Sequence, residues 1–518
     1  MGEETPVQEH SALSSAAEEQ VSTEQQSASV ETVLEDVKPT VEVEAVALSA
    51  EDNAVEEIPQ EVQPVVTSVE VQPEVASMEV QPEATSMEVQ PQIAVPLSGV
   101  TYQKRSDGMP QFMYDAVARI APEQGFTSGQ FEITFESGSG KGDGFVAEMF
   151  RATISEGDRK LIVLCKIPPI NDARRQQFGS MPIFDREVMA YSKFLPAMYE
   201  FQREKGVTEE MNIGFFNAPQ CYLAYVDIPK EESVIIMDDL RLKDYRMWNK
   251  MVPTNYEHAR LLMIQLGRLH AVSLAMKEQR PEVFEQFKVP DPLNAMMRTN
   301  EGFIMMMNMS MDRAIGTLEP HEEKARQKLS KLKETLFDDI STITSAEYAE
   351  PYAVLGHGDC WINNMIYSYK RGVPMEIVLL DWQICRYVSP ALDLLYFIFG
   401  CTDEAFRRQH YDEMLRIYYN SLKQLLEKLG GDASRQFPFT ALLRQLKACG
   451  KFGILMAMFI VPMICIENQD LPDMNEAAEK YKESQEFDTS FITSAKSEDK
   501  YKTRMAAIIR DVIRYGYL

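Results

Sequence analysis

Apolar and polar positions along the chain change their period near residue 240. From Gln130 the run FEITFESGSGKGDGFVAEMFRATI alternates on both sides of a glycine-rich centre and predicts two strands, with glycines at Gly138, Gly140, Gly142 and Gly144 between them. KLIVLCKIPP, CYLAYVDI and SVIIMDDL predict further strands, while FDREVMAYSKFL places Phe184, Val188, Tyr191 and Leu195 at helical spacing. The stretch from 100 to about 240 therefore reads as a small sheet around one helix. Beyond it EHARLLMIQLGRLHAVSLAM predicts a long helix, with His270 near its end as a packed or capping residue rather than a substrate contact. YAVLGHG lacks helical periodicity, and MIYSY and EIVLLD after it predict two short strands joined by a turn at KRGVP. The most apolar run, Phe452 to Ile466, has 15 residues with Pro462 inside. A bilayer span needs about 20, so a buried helix followed by a break is expected.

Composition separates one more region. The chain has 518 residues, 45% of them hydrophobic, enough for a sizeable core. Residues 1–100 hold 21 acidic residues against one base, Lys38, and so carry most of the formal net charge of −27. They contain no Phe, Tyr or Trp and repeat EVQP at residues 61, 70, 79 and 88. Without aromatic bulk and with recurrent proline, this tail is expected to be a disordered acidic extension. The expected division is a tail at 1–100, a strand-rich lobe at 101–239 and a helical lobe at 240–518. No basic stripe points to nucleic acid. Seven scattered cysteines without a CxxC pair suit a reducing, cytoplasmic setting. MGEETPVQEH has neither the basic start nor the apolar run of a secretory signal, and nothing in the pattern calls for a partner, so a monomer is expected.

Candidate chemistry lies at four places. Glycine-rich backbone can approach an anion closely, although Lys141 follows Gly140 directly and no GK[ST] closes a P-loop. Lys166 interrupts an apolar strand, and a buried cation needs an anion or a ligand; Glu187, beside the helical stripe, is a candidate, as a plain core ion pair or to hold the lysine for phosphate oxygens. The predicted hairpin brings Asn364, just before its first strand, close to Asp381 at the end of its second. Their amide and carboxylate oxygens are hard donors suited to Mg2+. Asp359 reaches the same cleft from upstream and can accept a hydrogen bond from an incoming hydroxyl, and His357 is expected to bond backbone near Asp381 and hold the loop. The six histidines form no HxH or HxxxH group.

HGDCWINN matches the HxDxxxxN loop of protein-kinase-like phosphotransferases, and LLDW matches their later metal-binding aspartate. With EIVLLDWQICRYVSPALDLLYFIF and IIMDDL, the chain from roughly residue 105 to 475 resembles the ecdysteroid kinase-like family, CHK-type relatives of choline and aminoglycoside kinases. The resemblance implies an α+β, two-lobed protein-kinase-like fold, a small antiparallel sheet lobe against a large helical lobe. It implies ATP and Mg2+ as cofactors, Asp359 as catalytic base, Asn364 and Asp381 on the metal, and Lys166 paired with Glu187 on the ATP phosphates. The backbone at Met237, Asp238 and Asp239 would take the adenine edge, and Asp393 would support the catalytic segment. Family members phosphorylate a small-molecule hydroxyl, ecdysteroids where substrates are known, with detoxification suspected for others, mostly in insects. Only eleven residues separate Asp381 from Asp393, which leaves little room for a peptide shelf and disfavours a protein substrate. The methionine-rich FIMMMNMSMDRAI reads as helix core, with lining of an acceptor pocket as the alternative. The competing function is a kinase-like module that binds a nucleotide or small molecule without turnover.

Overall fold

The structure, a computed structural model, describes residues 101–104, 109–138, 146–292, 294, 301–484 and 495–518. The tail at 1–100 and Gly140, Gly142 and Gly144 lie outside the described residues.

Six strands form the first sheet: β1 (Gln103–Lys104), β2 (Glu132–Ser137), β3 (Glu148–Glu156), β4 (Arg159–Ile167), β5 (Cys221–Asp227) and β6 (Glu232–Asp238), in the order β1-β2-β3-β4-β6-β5. Every neighbouring pair is antiparallel except β1 with β2, a two-residue parallel edge, so the lobe is the small antiparallel sheet expected. Alternation along β6 divides its side chains between two cores. Val234 and Ile236 join Val163 and Cys165 of β4 in packing with helix α1 (Gln111–Ile120), whereas Ile235 and Met237 face the main core shared with the helical lobe. Helix α1 is an addition to the single helix expected here. Its Met113, Tyr114, Val117 and Ile120 form a helical stripe just after Pro110, and that stripe covers the sheet face away from the cleft. A short helix α2 (Asp172–Gln177), capped by Asn171, is a second addition. The expected helix is α3 (Ser180–Met189), which runs through a π segment, Ala190–Phe194, into α4 (Leu195–Glu204).

The helical lobe comprises α5 (Tyr256–Gln279), α6 (Glu301–Gly316), α7 (Glu323–Ile343), α8 (Ala391–Cys401), α9 (Glu404–Lys428), α10 (Phe439–Ala448), α11 (Lys451–Cys465), α12 (Met474–Ser484) and α13 (Glu498–Arg514). Asn255 caps α5 by accepting from the His258 N–H. α5 approaches α9 so closely that a Cβ on Gly267 would fall 2.4 Å from the Tyr418 carbonyl oxygen, which explains glycine inside a long helix. α11, the most apolar run, is buried beside α8 and continues three residues past Pro462. Among the described residues no single helix is long and apolar enough to cross a membrane; Ala433–Ala448 with Lys451–Cys465 reaches that length only with a 58° bend.

Two small sheets sit where the lobes meet. β7 (Arg246–Met247), β9 (Met365–Lys370) and β10 (Val373–Leu379) form one, in the order β10-β9-β7, and β8 (Val354–Gly356) pairs with β11 (Arg386–Val388) in the other. The β9–β10 hairpin turns on Arg371 and Gly372, both at positive φ. The turn is thus shorter than KRGVP, because Val373 and Pro374 already belong to β10. Pro374 is tolerated since β10 is an edge strand with a register shift between Pro374 and Glu376.

Candidate active site

The hairpin fixes the first pair of groups. Met365 pairs with Leu379, and the Asn364 carbonyl accepts from the Leu380 N–H at 2.9 Å, so Asn364 and Asp381 leave the same end of the hairpin as expected. Asp381 itself has φ +66°, an uncommon conformation for a residue other than glycine. Flanking contacts hold it there: His357 Nε2 lies 3.0 Å from the Leu380 carbonyl, and Lys166 Nζ donates to Asp381 Oδ1 at 2.8 Å. His357 therefore serves the loop-holding role its position predicts, and burial lowers its pKa and keeps the ring neutral.

Lys166 lies in β4 opposite Met149 on one side and Ile235 on the other, and its ammonium bridges two carboxylates. Glu187 Oε2 of α3 is 2.6 Å away and its side chain is 1% exposed, while Asp381 is 25% exposed. Burial alone would discharge the lysine, but Asp381 and Glu187 outweigh it and raise its pKa, so Lys166 stays protonated. The ion pair and the phosphate-binding alternatives are thus compatible in one geometry, because Asp381 keeps its more exposed side toward the cleft.

The Asp359 carboxylate accepts two side-chain hydrogen bonds. Asn364 Nδ2 donates to Asp359 Oδ2 at 2.8 Å and to its carbonyl at 3.1 Å, and the Tyr396 hydroxyl donates to Oδ1 at 2.8 Å. Burial, with the nearby charge of Asp381, pushes the Asp359 carboxyl up to about 7 against those two bonds. Since the Asn364 amide turns its nitrogen to Asp359, Oδ1 remains as its acceptor. The hard-donor pair is then Asn364 Oδ1 and Asp381, which fits Mg2+. Among the described residues no group of three or more His, Cys, Asp and Glu forms a protein metal cage.

Backbone support comes from Asp393 in α8, which accepts from His357 N at 2.8 Å and Gly358 N at 2.9 Å and lies 3.2 Å from His270 Nε2. His270 is fully buried, with Nδ1 2.8 Å from the Tyr418 hydroxyl, so it packs behind the loop instead of meeting substrate.

Asp359, Asn364, Asp381, Lys166, Glu187, Gly138, Met237, Asp238 and Asp239 all line one cavity of about 440 Å³. At Gly138 a Cβ would fall 2.9 Å from the backbone of Met149 and Phe150, so the strand approach itself demands glycine. Along the linker after β6, the Asp238 carboxylate is taken by Tyr222 (2.7 Å) and Lys243 (2.6 Å). Asp239 is taken by Arg151 (2.7 Å) and Arg241 (2.8 Å), leaving backbone, not carboxylates, as the linker's contribution. Helix α6 resolves the methionine question in both directions: Met311 is core, while Met306 and Met307 line the cavity.

Two contributors escaped the sequence reading. Tyr396 sits three residues after Asp393, on the same face of α8, but within an apolar run where a tyrosine reads as core. Arg151, which pins the linker through Asp239, is 88 residues from its partner, and an arginine in a half-exposed strand gives no such sign.

A model of the ecdysteroid kinase-like family matches residues 141–431. No curated protein matches the sequence. Similar solved structures include an ethanolamine kinase of Plasmodium vivax, at 13% identity and TM-score 0.36, covering 78% of this chain and 91% of that one. Another is the GDP complex of wild-type aminoglycoside 2′-phosphotransferase-IIIa, at 12% identity and TM-score 0.34, covering 73% and 93%. A third is a spectinomycin phosphotransferase with ADP and spectinomycin, at 11% identity and TM-score 0.30, covering 74% and 93%.

Proposed function

The chain belongs to the ecdysteroid kinase-like family, and from that premise we propose that it transfers the γ-phosphoryl group of ATP to a hydroxyl of a small molecule, an ecdysteroid or another hydrophobic alcohol. The observation that carries this reading is that Asp359, Asn364, Lys166 and Asp381, from distant parts of the chain, open onto a single cavity.

Asp359 accepts the hydrogen bond of the acceptor hydroxyl and takes its proton as the oxygen bonds to phosphorus and the β–γ bridging oxygen leaves with its electron pair. Tyr396 and Asn364 fix the orientation of that carboxylate, so the base is placed before the acceptor arrives. Lys166, held by Glu187 and Asp381, offers its charge to phosphate oxygens. Asn364 Oδ1 and Asp381 would hold Mg2+, which would neutralise charge on the phosphates. The backbone of Met237, Asp238 and Asp239 would border the adenine, and Gly138 would lie toward the phosphates. We take the chain to be a cytoplasmic monomer; its seven unpaired cysteines suit a reducing compartment.

The test is Asp359→Asn. Transfer of labelled phosphate from ATP to a panel of alcohols should fall at least ~10²-fold, the lower range for losing a general base, while binding of a fluorescent ATP analogue persists. Loss of both properties, or of neither, rejects the assignment. An inactive binding module is disfavoured because none of the five charged and polar groups is missing.

A further inference from the structure

We infer that the acceptor is an apolar alcohol with its reacting hydroxyl at one end and few other polar groups, in preference to a polyhydroxylated steroid or a cationic alcohol. This rests on the phosphotransferase reading and narrows its acceptor.

The cavity has two chemically different halves. Its charged lining groups, Lys166, Glu187, Asp238, Asp239 and Arg241, belong to the small lobe and its linker, and Asp359 and Asp381 mark the reacting end. The far wall is built by α6, α11 and Ile340 of α7. Among the described residues, every side chain these elements contribute is apolar except Ser310, and none is charged. Phe303 of α6 and Phe459 of α11 lie with ring centroids 5.6 Å apart at 32°, joining the two helices across the wall. Met306, Met307, Met456 and Met463 supply the rest of much of that surface, and thioether side chains adapt to irregular hydrocarbon.

A hydroxyl placed against this wall gives up its water and finds one candidate partner, Ser310. Each further hydroxyl should cost about 10- to 100-fold in kcat/KM, the range for a hydrophobic pocket meeting an extra hydroxyl. A cationic acceptor fares worse, since the wall offers no carboxylate and Asp359 is committed to the reacting end.

Three probes test this on the full chain: a steroid with one hydroxyl, the same carbon skeleton with five hydroxyls, and choline. Binding is measured without nucleotide by displacement of an apolar fluorophore, and transfer by labelled phosphate from ATP. The one-hydroxyl steroid should bind at least tenfold more tightly than the other two and be phosphorylated with the highest kcat/KM. Phe459→Ala, at a half-buried position that a folded chain should tolerate, should weaken its binding by tenfold or more. If the binding order holds but no probe is phosphorylated, the apolar acceptor site stands and the phosphotransferase reading fails. Equal or tighter binding of either polar probe, binding of none, or indifference to Phe459→Ala overturns the inference.

Discussion

Replacing Asp393 with asparagine should cut the catalytic loop loose from α8 while leaving side-chain volume almost unchanged. The carboxylate is 2% exposed and receives the N–H groups of His357 and Gly358, the two residues before Asp359. Burial acts to raise its pKa, but the hydrogen bond and charge of His270, with His357 and Arg386 nearby, outweigh burial and hold it at about 2. An unfolded aspartate titrates at about 3.9, so the native preference for the charged form is worth on the order of 2–3 kcal/mol at pH 7. The sign follows from a depressed folded pKa: this stability is present above the unfolded value and lost as pH falls toward 2. About half of it is gone at pH 3. Asparagine lacks the charge and presents an N–H₂ to one of the two backbone donors, so it forfeits at least this amount. Urea unfolding of both proteins should give a deficit on the order of 2–3 kcal/mol or more at pH 7, narrowing by about half at pH 3. A deficit below ~1 kcal/mol, the worth of one ordinary hydrogen bond, or one that ignores acidification would refute the reasoning. Turnover should fall as well, with nucleotide affinity retained, because the loop displaced is the one carrying Asp359.

What the sequence disclosed and what it hid divide along a physical line. Groups placed by local geometry were legible. A hairpin has two ends that meet, so Asn364 and Asp381 had to be neighbours once MIYSY and EIVLLD were read as its strands. SVIIMDDL, with four successive apolar residues, read as a strand and is β6, and an isolated lysine in an apolar strand demanded an anion, which Glu187 provides. Groups placed by packing across distant elements were not legible. Tyr396 lies within LDLLYFIF, where a tyrosine reads as one more core residue, and only the seating of α8 under the loop turns its hydroxyl to Asp359. Helix α1 was missed although its apolar stripe is helical, because the neighbouring strand signals dominated the reading of that region. Family resemblance supplied roles for Lys166 and the linker that spacing had left open, but it did not foresee how polar side chains are withheld from the far wall.

Tyr396→Phe removes the 2.8 Å hydrogen bond to Asp359 while keeping the ring in place; kcat should fall about tenfold or more with KM for ATP unchanged, since a slight misplacement of a reacting group can cost ~10²-fold, and an unaltered kcat would reject the positioning role. Lys166→Met, studied with chelator and without nucleotide, leaves Glu187 buried without its cation and should destabilise by about 3–5 kcal/mol. Most of that should return in Lys166→Met with Glu187→Gln, and a double variant as weak as the single one would contradict the ion-pair account. Gly358→Ala tests the tightest point of the loop. Gly358 has φ +88°, and a Cβ there would lie 2.0 Å from the Ile384 carbonyl oxygen and 2.7 Å from its carbon. Neither atom belongs to a flexible side chain, so the 357–359 loop and the segment after Asp381 must separate to admit the methyl group. The conformation alone disfavours alanine by roughly 1–2 kcal/mol, and the collision adds to it. A drop of several degrees in Tm and loss of phosphoryl transfer are expected together, because the displacement acts on the backbone carrying the base and on the segment following the metal ligand. A variant with wild-type Tm and turnover would mean that the two segments are not held in the contact on which the geometry of the site depends.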